Sequence, residues 1–376
     1  MRRHAIAAGT VFDGTGERPD HAVVIDDSDI VAVVPRREVP AGVPVREMPA
    51  GTWLTPGFID VQVNGGGDVL LNDTPTPEAI ATIAAAHRRF GTTGLLPTLI
   101  SDSAAKMRAA SEAVAAASRD LPGVLGIHFE GPFLSKERAG VHDPAMFRSP
   151  DADDGALLTA SGRGVTLVTL APECVPAGFI AGLAASGVRV ALGHSQASYD
   201  ETRAAFAEGL TGLTHLFNAM PPLLARAPGP IAAALEEPRA FYGLIADGEH
   251  VAPAMLRLAL RGQGQPLLVT DAMPPVGGTL RGFALGGKEI SVRDSRCATA
   301  DGILAGSSLD MASAVRNCVR LLDMPLAQAL RLASAAPAAF LGLDGRLGRL
   351  APGYRADIVA LDPAEVMVLA TWVAGT

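Results

Sequence analysis

Four side chains able to bind a metal or move a proton stand at or just beyond the ends of apolar runs: Glu130, His194, His215 and Asp271. Glu130 closes the run Val124–Phe129, immediately before Gly131-Pro132; His194 lies in LGHSQAS, His215 in LTHLFNAM and Asp271 in LLVTDAMPP. A carboxylate at the end of a buried strand is costly unless a cation or several donors meet it. One carboxylate with two imidazoles is a common ligand set for a catalytic divalent metal, with a position left for water. Asp271 is then the candidate to take a proton from water and return it to a leaving group. Each residue taken singly has an ordinary explanation. Glu130 or Asp271 can cap a loop, His194 can cap the next helix, and His215 can pack behind a strand. It is their common placement, each at a strand end, that favours the metal reading.

Three further residues sit on loops where a substrate would meet them. His142 and His250 have no partner at metal-ligand spacing, so substrate contact competes only with a solvated loop histidine. Arg226 lies among apolar and proline residues in NAMPPLLARAPGP, Asn218–Pro230. A planar guanidinium held there suits a phosphate or carboxylate. The run Asn64-Gly-Gly-Gly-Asp68 opens no helix with the required spacing and is not a dinucleotide-binding fingerprint.

The elements that must position these residues alternate along the middle of the chain. Short buried strands are expected at Gly57–Val63, Gly94–Ile100, Val124–Phe129, Val165–Leu170, Val188–Leu192, Leu213–Phe217, Tyr242–Ala246 and Leu267–Thr270. Alanine-rich helical stretches fall between most of them, as at Pro77–Phe90, Ala104–Ser118, Tyr199–Glu208 and Pro253–Arg261. Eight apolar strands alternating with helices describe an α/β chain closing as a (β/α)8 TIM-like barrel. In that fold the active site lies where the strands end. The residues found there are Gln62 and Asn64, Thr98, Glu130, Glu173, His194, His215 and Asn218, Asp247 and His250, and Asp271.

The two ends of the chain differ from the middle. Ile6–Phe12, Val23–Ile25, Ile30–Val34 and Val43–Met48 read as β segments, and so do Ile358–Leu361 and Val366–Val373. This pattern predicts a small β-sandwich built from residues 1–52 and 346–376, around a catalytic barrel over 53–345. An insertion at Arg281–Ile303 reads as β-hairpins, followed by helices at Leu309–Leu322 and Leu326–Phe340.

Composition narrows the class. The chain has 376 residues, 48% hydrophobic and 19% charged, as in a folded globular enzyme. With a net charge of −8 and no Lys/Arg block longer than two, nucleic acid and anionic membranes are not expected partners. An anionic substrate would need local cations. Three scattered cysteines make no disulfide framework, which fits a cytoplasmic protein. The N-terminal apolar run is broken at Asp13-Gly14 and reads as a first strand rather than a secretion signal. No run approaches the roughly 20 apolar residues of a membrane helix.

PGFIDVQVNGGG, HFEGPFL with the later AGVH, TLAPE, GHS, THLFNAM, ADGEHV, VTDAM, AGSSLDM and ADIVALD occur in order along most of the chain. In this the chain resembles the N-acetylglucosamine-6-phosphate deacetylases of the amidohydrolase superfamily. The resemblance implies a barrel-plus-sandwich subunit in a homodimer, acting on a small amino-sugar phosphate. It implies one divalent metal ion per subunit on Glu130, His194 and His215, zinc first, with iron, cobalt or manganese as alternatives. It makes Asp271 the base and acid, and gives His142 the acetamide carbonyl. His250, Arg226 and the backbone at Asn218 and Ala219 would hold the sugar phosphate, with Gln62 and Leu309 also at the substrate. Two departures stand out. Gln62 and Asn64 occupy the place where many amidohydrolases carry His-x-His for a second metal, and neutral amides are poor zinc ligands. The loop after Arg226 reads Arg-Ala-Pro-Gly where the family often has Arg-Glu-Pro-Gly. The alternatives are a galactosamine-6-phosphate deacetylase, a dihydroorotase-like or aminoacylase-like hydrolase and, from another class, an inactive scaffold.

Overall fold

The structure, a computed structural model, describes residues 3–160, 162, 164–293 and 295–376. The chain forms two compact units. One comprises Met1–Asp60, His87–Gly94 and Asp310–Thr376, the other Val61–Ala86 and Leu95–Leu309.

In the first unit, strands from both chain ends join one sheet, seven-stranded among the described residues. Its order is Met367–Trp372, Ile358–Asp362, Trp53–Pro56, His4–Phe12, Glu17–Asp26 and Asp29–Pro35, with Val45–Glu47 also beside the His4–Phe12 strand. The two ends meet where Trp53–Leu54-Thr55-Pro56 pairs antiparallel with Ile358–Leu361. The Trp53–Pro56 strand was not expected; it buries Leu54 in the sheet. Ile6, Val11, Val23, Ile25, Leu54, Ile358 and Trp372 make up much of the core of this sheet. The helix expected over Leu326–Phe340 is two, Leu326–Ala333 and Ala335–Leu341. Ser334 breaks it by leaving helical backbone (φ −133°, ψ −72°), while its hydroxyl donates to the Leu330 carbonyl at 2.6 Å.

The parallel sheet has eight strands among the described residues: Phe58–Val63, Thr92–Ile100, Gly126–Glu130, Val165–Leu170, Arg189–Leu192, Gly212–Leu213, Phe241–Leu244 and Gln265–Leu268, each beside the next. The first three are buried at every position. Both faces of each are covered, so polar members such as Asp60, Gln62 and His128 are buried along with the apolar ones. The eighth strand rejoins the first just beyond its end, through the bridge Val63–Ala272 and a 2.9 Å bond from the Asn64 amide to the Ala272 carbonyl.

Helices separate the strands as expected. Tyr199–Glu208 shows the local logic: Ser198 and Glu201 form a reciprocal cap at its start, and Gly209 at φ 112° ends it. The sixth strand is much shorter than the expected Leu213–Phe217. His215 (φ 33°) and Phe217 (φ 80°) turn the backbone out of the ladder. The insertion is a four-stranded antiparallel sheet, Gly282–Leu285, Lys288–Arg293, Arg296–Ala298 and Leu304–Ser307, reaching four residues past its expected end. No helix among the described residues is long and apolar enough to cross a membrane.

Candidate metal centre and active site

Glu130, His194 and His215 come from the ends of the third, fifth and sixth barrel strands, and one ligand atom from each lies within 4.8 Å of the others. All three are buried. Glu130 Oε1 is 2.8 Å from His215 Nε2 and 3.2 Å from His194 Nε2, and the two Nε2 atoms are 3.2 Å apart. His194 Nδ1 donates to the Arg138 carbonyl at 2.8 Å, which leaves lone-pair density on Nε2. An imidazole lone pair, a second imidazole nitrogen and a carboxylate oxygen therefore converge. Such a set of ligand atoms fits a divalent cation.

Burial raises the Glu130 carboxyl, but the His194 and His215 imidazoles beside it outweigh that and hold the group well below the usual carboxylate range. For His215 the burial that lowers it is outweighed by the Glu130 hydrogen bond and charge, and it is raised. His215 Nδ1 has no hydrogen-bond partner among the described residues.

The local backbone throws these side chains off the sheet. His194, His215 and Asp271 all take left-handed backbone, at φ 50°, 33° and 52°. Behind His194, the Glu173 carboxylate accepts from the Ser195 hydroxyl (2.7 Å) and the Gln196 amide (2.5 Å), which ties down the turn that carries the ligand. Beneath the centre, Thr98, His128, Thr169 and Thr214 form a buried hydrogen-bonded chain, with His128 Nε2 at 2.8 Å from Thr169 Oγ1. Burial pushes His128 down to about 4, so it is a neutral member of that chain.

Asp271 follows the eighth strand. Its Oδ1 accepts from Asn64 Nδ2 at 2.7 Å and from Gln62 Nε2 at 3.2 Å. Gln62 Nε2 also lies 3.2 Å from both oxygens of Glu130, so one amide spans the two carboxylates. Burial, and after it the charge of Glu130, raises Asp271 above the ordinary carboxyl value. Its backbone is fixed by the insertion: Ser307 N donates to the Asp271 carbonyl at 2.9 Å, and the Ser307 hydroxyl to that of Thr270 at 2.6 Å. This approach requires Gly306, where a Cβ would fall 2.7 Å from the Asp271 oxygen.

These groups face a cavity of about 240 Å³ whose wall also includes His142, Asn218, Ala219, His250, Ile100, Val141, Met273 and Leu304. His142 is 3% exposed, its ring centroid 4.4 Å from that of His194, and burial with that neighbour pushes it down to about 3. His250 Nδ1 is bonded to Asp247 Oδ2 at 2.6 Å. Burial raises Asp247, and the His250 bond outweighs it, so the carboxyl is lowered. A larger open groove of about 890 Å³ runs along the insertion past Arg281, Glu289 and Arg293, away from the converging ligands.

The structure thus brings Glu130, His194, His215, Asp271, His142, His250, Asn218 and Ala219 to one cavity. Three expected substrate residues are placed otherwise. Gln62 is occupied by Glu130 and Asp271, Leu309 is buried with its amide on Ser307 Oγ (3.0 Å), and Arg226 is exposed and does not line the wall. Of the other expected rim residues, Thr98 and Glu173 support the site from behind. Sequence reasoning missed Ser101, whose hydroxyl is 2.9 Å from His142 Nδ1. The only available signal was its position one residue past the second strand.

A (β/α)8 barrel with a carboxylate and two imidazoles at its rim defines a metal-dependent hydrolase, and residues 53–376 match the amidohydrolase family. The chain belongs to that family. Within it the chain is 42% identical over 325 residues to an N-acetylgalactosamine-6-phosphate deacetylase of Shewanella sp. (strain ANA-3), covering 86% of this chain and 82% of that protein. It is 32% identical over 360 residues to the N-acetylglucosamine-6-phosphate deacetylase of Haemophilus influenzae, covering 95% and 94%. The crystal structure of N-acetylglucosamine-6-phosphate deacetylase from Pasteurella multocida superposes with a TM-score of 0.95 at 32% identity, covering 99% of this chain and 98% of that one.

Proposed function

We propose that the protein hydrolyses the acetamide of N-acetyl-D-glucosamine 6-phosphate to D-glucosamine 6-phosphate and acetate, in amino-sugar catabolism or recycling. The observation that carries this is the convergence of Glu130, His194 and His215 beside Asp271 at a small rim cavity. The deacetylases among its relatives supply the substrate class. The residues fit one divalent ion per subunit, zinc first, which when bound would lower the pKa of water to about 7 and polarise a carbonyl.

The chain's own groups do the rest. The Asp271 carboxylate takes the proton of the attacking water and delivers it to the departing nitrogen, so that the amine leaves neutral. His142 donates to the carbonyl oxygen as charge develops there, a contribution of about 3 kcal/mol for a donor of this kind. Gln62 and Asn64 hold Asp271 in place. His250, oriented by Asp247, and the Asn218–Ala219 backbone face the sugar phosphate.

A homodimer accounts for Arg226. Its loop exposes Leu223 (38%) and Leu224 (55%), and an arginine that does not line its own cavity is free to reach a partner's. The three scattered cysteines support a cytoplasmic enzyme, and the acidic composition argues against nucleic-acid or anionic-membrane partners. The test is acetate release from N-acetylglucosamine 6-phosphate with and without a chelator. The galacto epimer belongs in parallel, because the 42%-identical relative bears that name. No acetate from either sugar overturns the proposal, and a strong preference for the galacto epimer replaces the substrate.

A further inference from the structure

Ser101 sits directly after the second barrel strand, Thr92–Ile100, and is 7% exposed. Its hydroxyl lies 2.9 Å from His142 Nδ1 and 3.4 Å from the Glu130 carbonyl. A hydroxyl has one proton, and 3.4 Å is beyond the usual O–H···O range of about 2.5–3.0 Å, whereas the imidazole nitrogen is within reach. Of these two acceptors, Nδ1 is therefore the better placed for that proton. The hydroxyl keeps its place because Gly131, at φ 90°, has no side chain: a Cβ there would fall 2.2 Å from Ser101 Oγ. The His142 ring is held independently, by His194 at 4.4 Å and Phe147 at 6.2 Å between centroids, and by a 3.1 Å bond from its own amide to the Ala139 carbonyl. Packing fixes where the ring is. It does not fix which nitrogen carries the proton.

We infer that Ser101 is a positioning residue that sets the tautomer of His142: by donating to Nδ1 it places the ring proton on Nε2. That leaves an N–H for a carbonyl oxygen in the cavity. The opposite tautomer would aim a lone pair at that oxygen and repel the charge building there. The inference rests on the proposed amide hydrolysis for its purpose, but the tautomer can be read without turnover.

The experiment is long-range ¹H–¹⁵N NMR of zinc-loaded, ¹⁵N-histidine-labelled protein. Comparison with His142→Gln picks the His142 signals out of the eight histidines. The expected result is an Nε2–H imidazole in the parent and a mixture of tautomers in Ser101→Ala. In parallel, kcat of Ser101→Ala on the sugar phosphate should fall about 10- to 100-fold, in the range seen when an orienting partner is removed, with KM changed by less than about threefold. A parent ring protonated on Nδ1 overturns the inference. An Ser101→Ala variant with unchanged tautomer, or a loss carried by KM alone, overturns it as well. A parent with Nε2–H that depends on Ser101 but shows no acetate release supports the tautomer assignment and refutes the proposed reaction instead.

Discussion

Replacing Asp271 by asparagine separates proton transfer from structure, because the site accommodates the amide almost unchanged. The carboxamide oxygen can take the place of Oδ1 and keep the donors Asn64 Nδ2 at 2.7 Å and Gln62 Nε2 at 3.2 Å. Asparagine also tolerates the left-handed backbone at φ 52° better than most residues. None of the three converging ligand atoms belongs to Asp271. What is lost is a base that can accept a proton. General acid–base groups contribute about 10² to 10⁴ in rate, so kcat should fall by about three decades, equivalent to roughly 4 kcal/mol in the barrier. Steady-state acetate release, elemental analysis and a melting curve should be run on one preparation. The expected outcome is the rate loss with metal content and melting midpoint retained. Activity above a tenth of the parent would mean that the proton travels elsewhere. Loss of metal along with activity would make Asp271 a ligand. Asp271→Ala is the contrasting variant: it strands two buried amide donors, each costing about 1–3 kcal/mol, and should lower the melting midpoint as well.

The remaining expectations concern the metal count, the phosphate and the β-sheet unit. Elemental analysis should find about one divalent ion per active subunit, since Gln62 and Asn64 offer amides, already engaged with Glu130 and Asp271, where a second ion would need imidazoles; close to two ions would contradict this. Arg226→Met should lower kcat/KM for the phosphorylated sugar by roughly one to two decades and barely affect unphosphorylated N-acetylglucosamine, because a charge-assisted bond contributes about 1.5–3 kcal/mol. Equal damage to both sugars removes Arg226 from the phosphate site. In the β-sheet unit, burial raises Asp13, but hydrogen bonds from Thr15, Gly16 and Arg18 outweigh it and hold the carboxyl at about 2. The folded value lies below the unfolded one of about 4. Its stabilisation is therefore present above pH 4 and lost as pH falls towards 2. In urea titrations the stability gap between the parent and Asp13→Asn should close across that window, and a gap independent of pH would refute the assignment.

The barrel was readable in the sequence because its strands are buried on both faces and so are rich in apolar residues, although Asp60 and Gln62 interrupt Phe58–Val63 and His128 interrupts Gly126–Glu130. The ligands were readable for a related reason: Glu130, His194 and His215 are polar residues that end such apolar-rich runs. The rest depended on geometry that has no local signature. Phe217 belongs to an apolar stretch, yet its positive φ takes it out of the sixth strand. Ser101 was hidden by its neighbours, since Ser101-Asp102-Ser103 before an alanine-rich helix reads as a capping cluster. Ser103 indeed caps that helix, accepting from the Lys106 amide. Gln62 and Asn64 were recognised as replacements for imidazoles. Their engagement with Glu130 and Asp271 joins residues 68 to 209 positions apart and could not be read from spacing.

The left-handed backbone at His194, His215 and Asp271 also constrains how this site can decay over evolutionary time. Histidine and aspartate are among the few side chains that adopt such backbone readily, together with asparagine and, above all, glycine. At each of these positions selection for chemistry and selection for conformation therefore favour overlapping sets of residues. If the chemistry were abandoned, the conformational requirement would persist, and a β-branched replacement would remain penalised. A descendant of this chain kept only as a scaffold should thus carry asparagine or glycine at these three positions. At Glu130, which lies in regular strand, it should drift towards ordinary strand-forming residues.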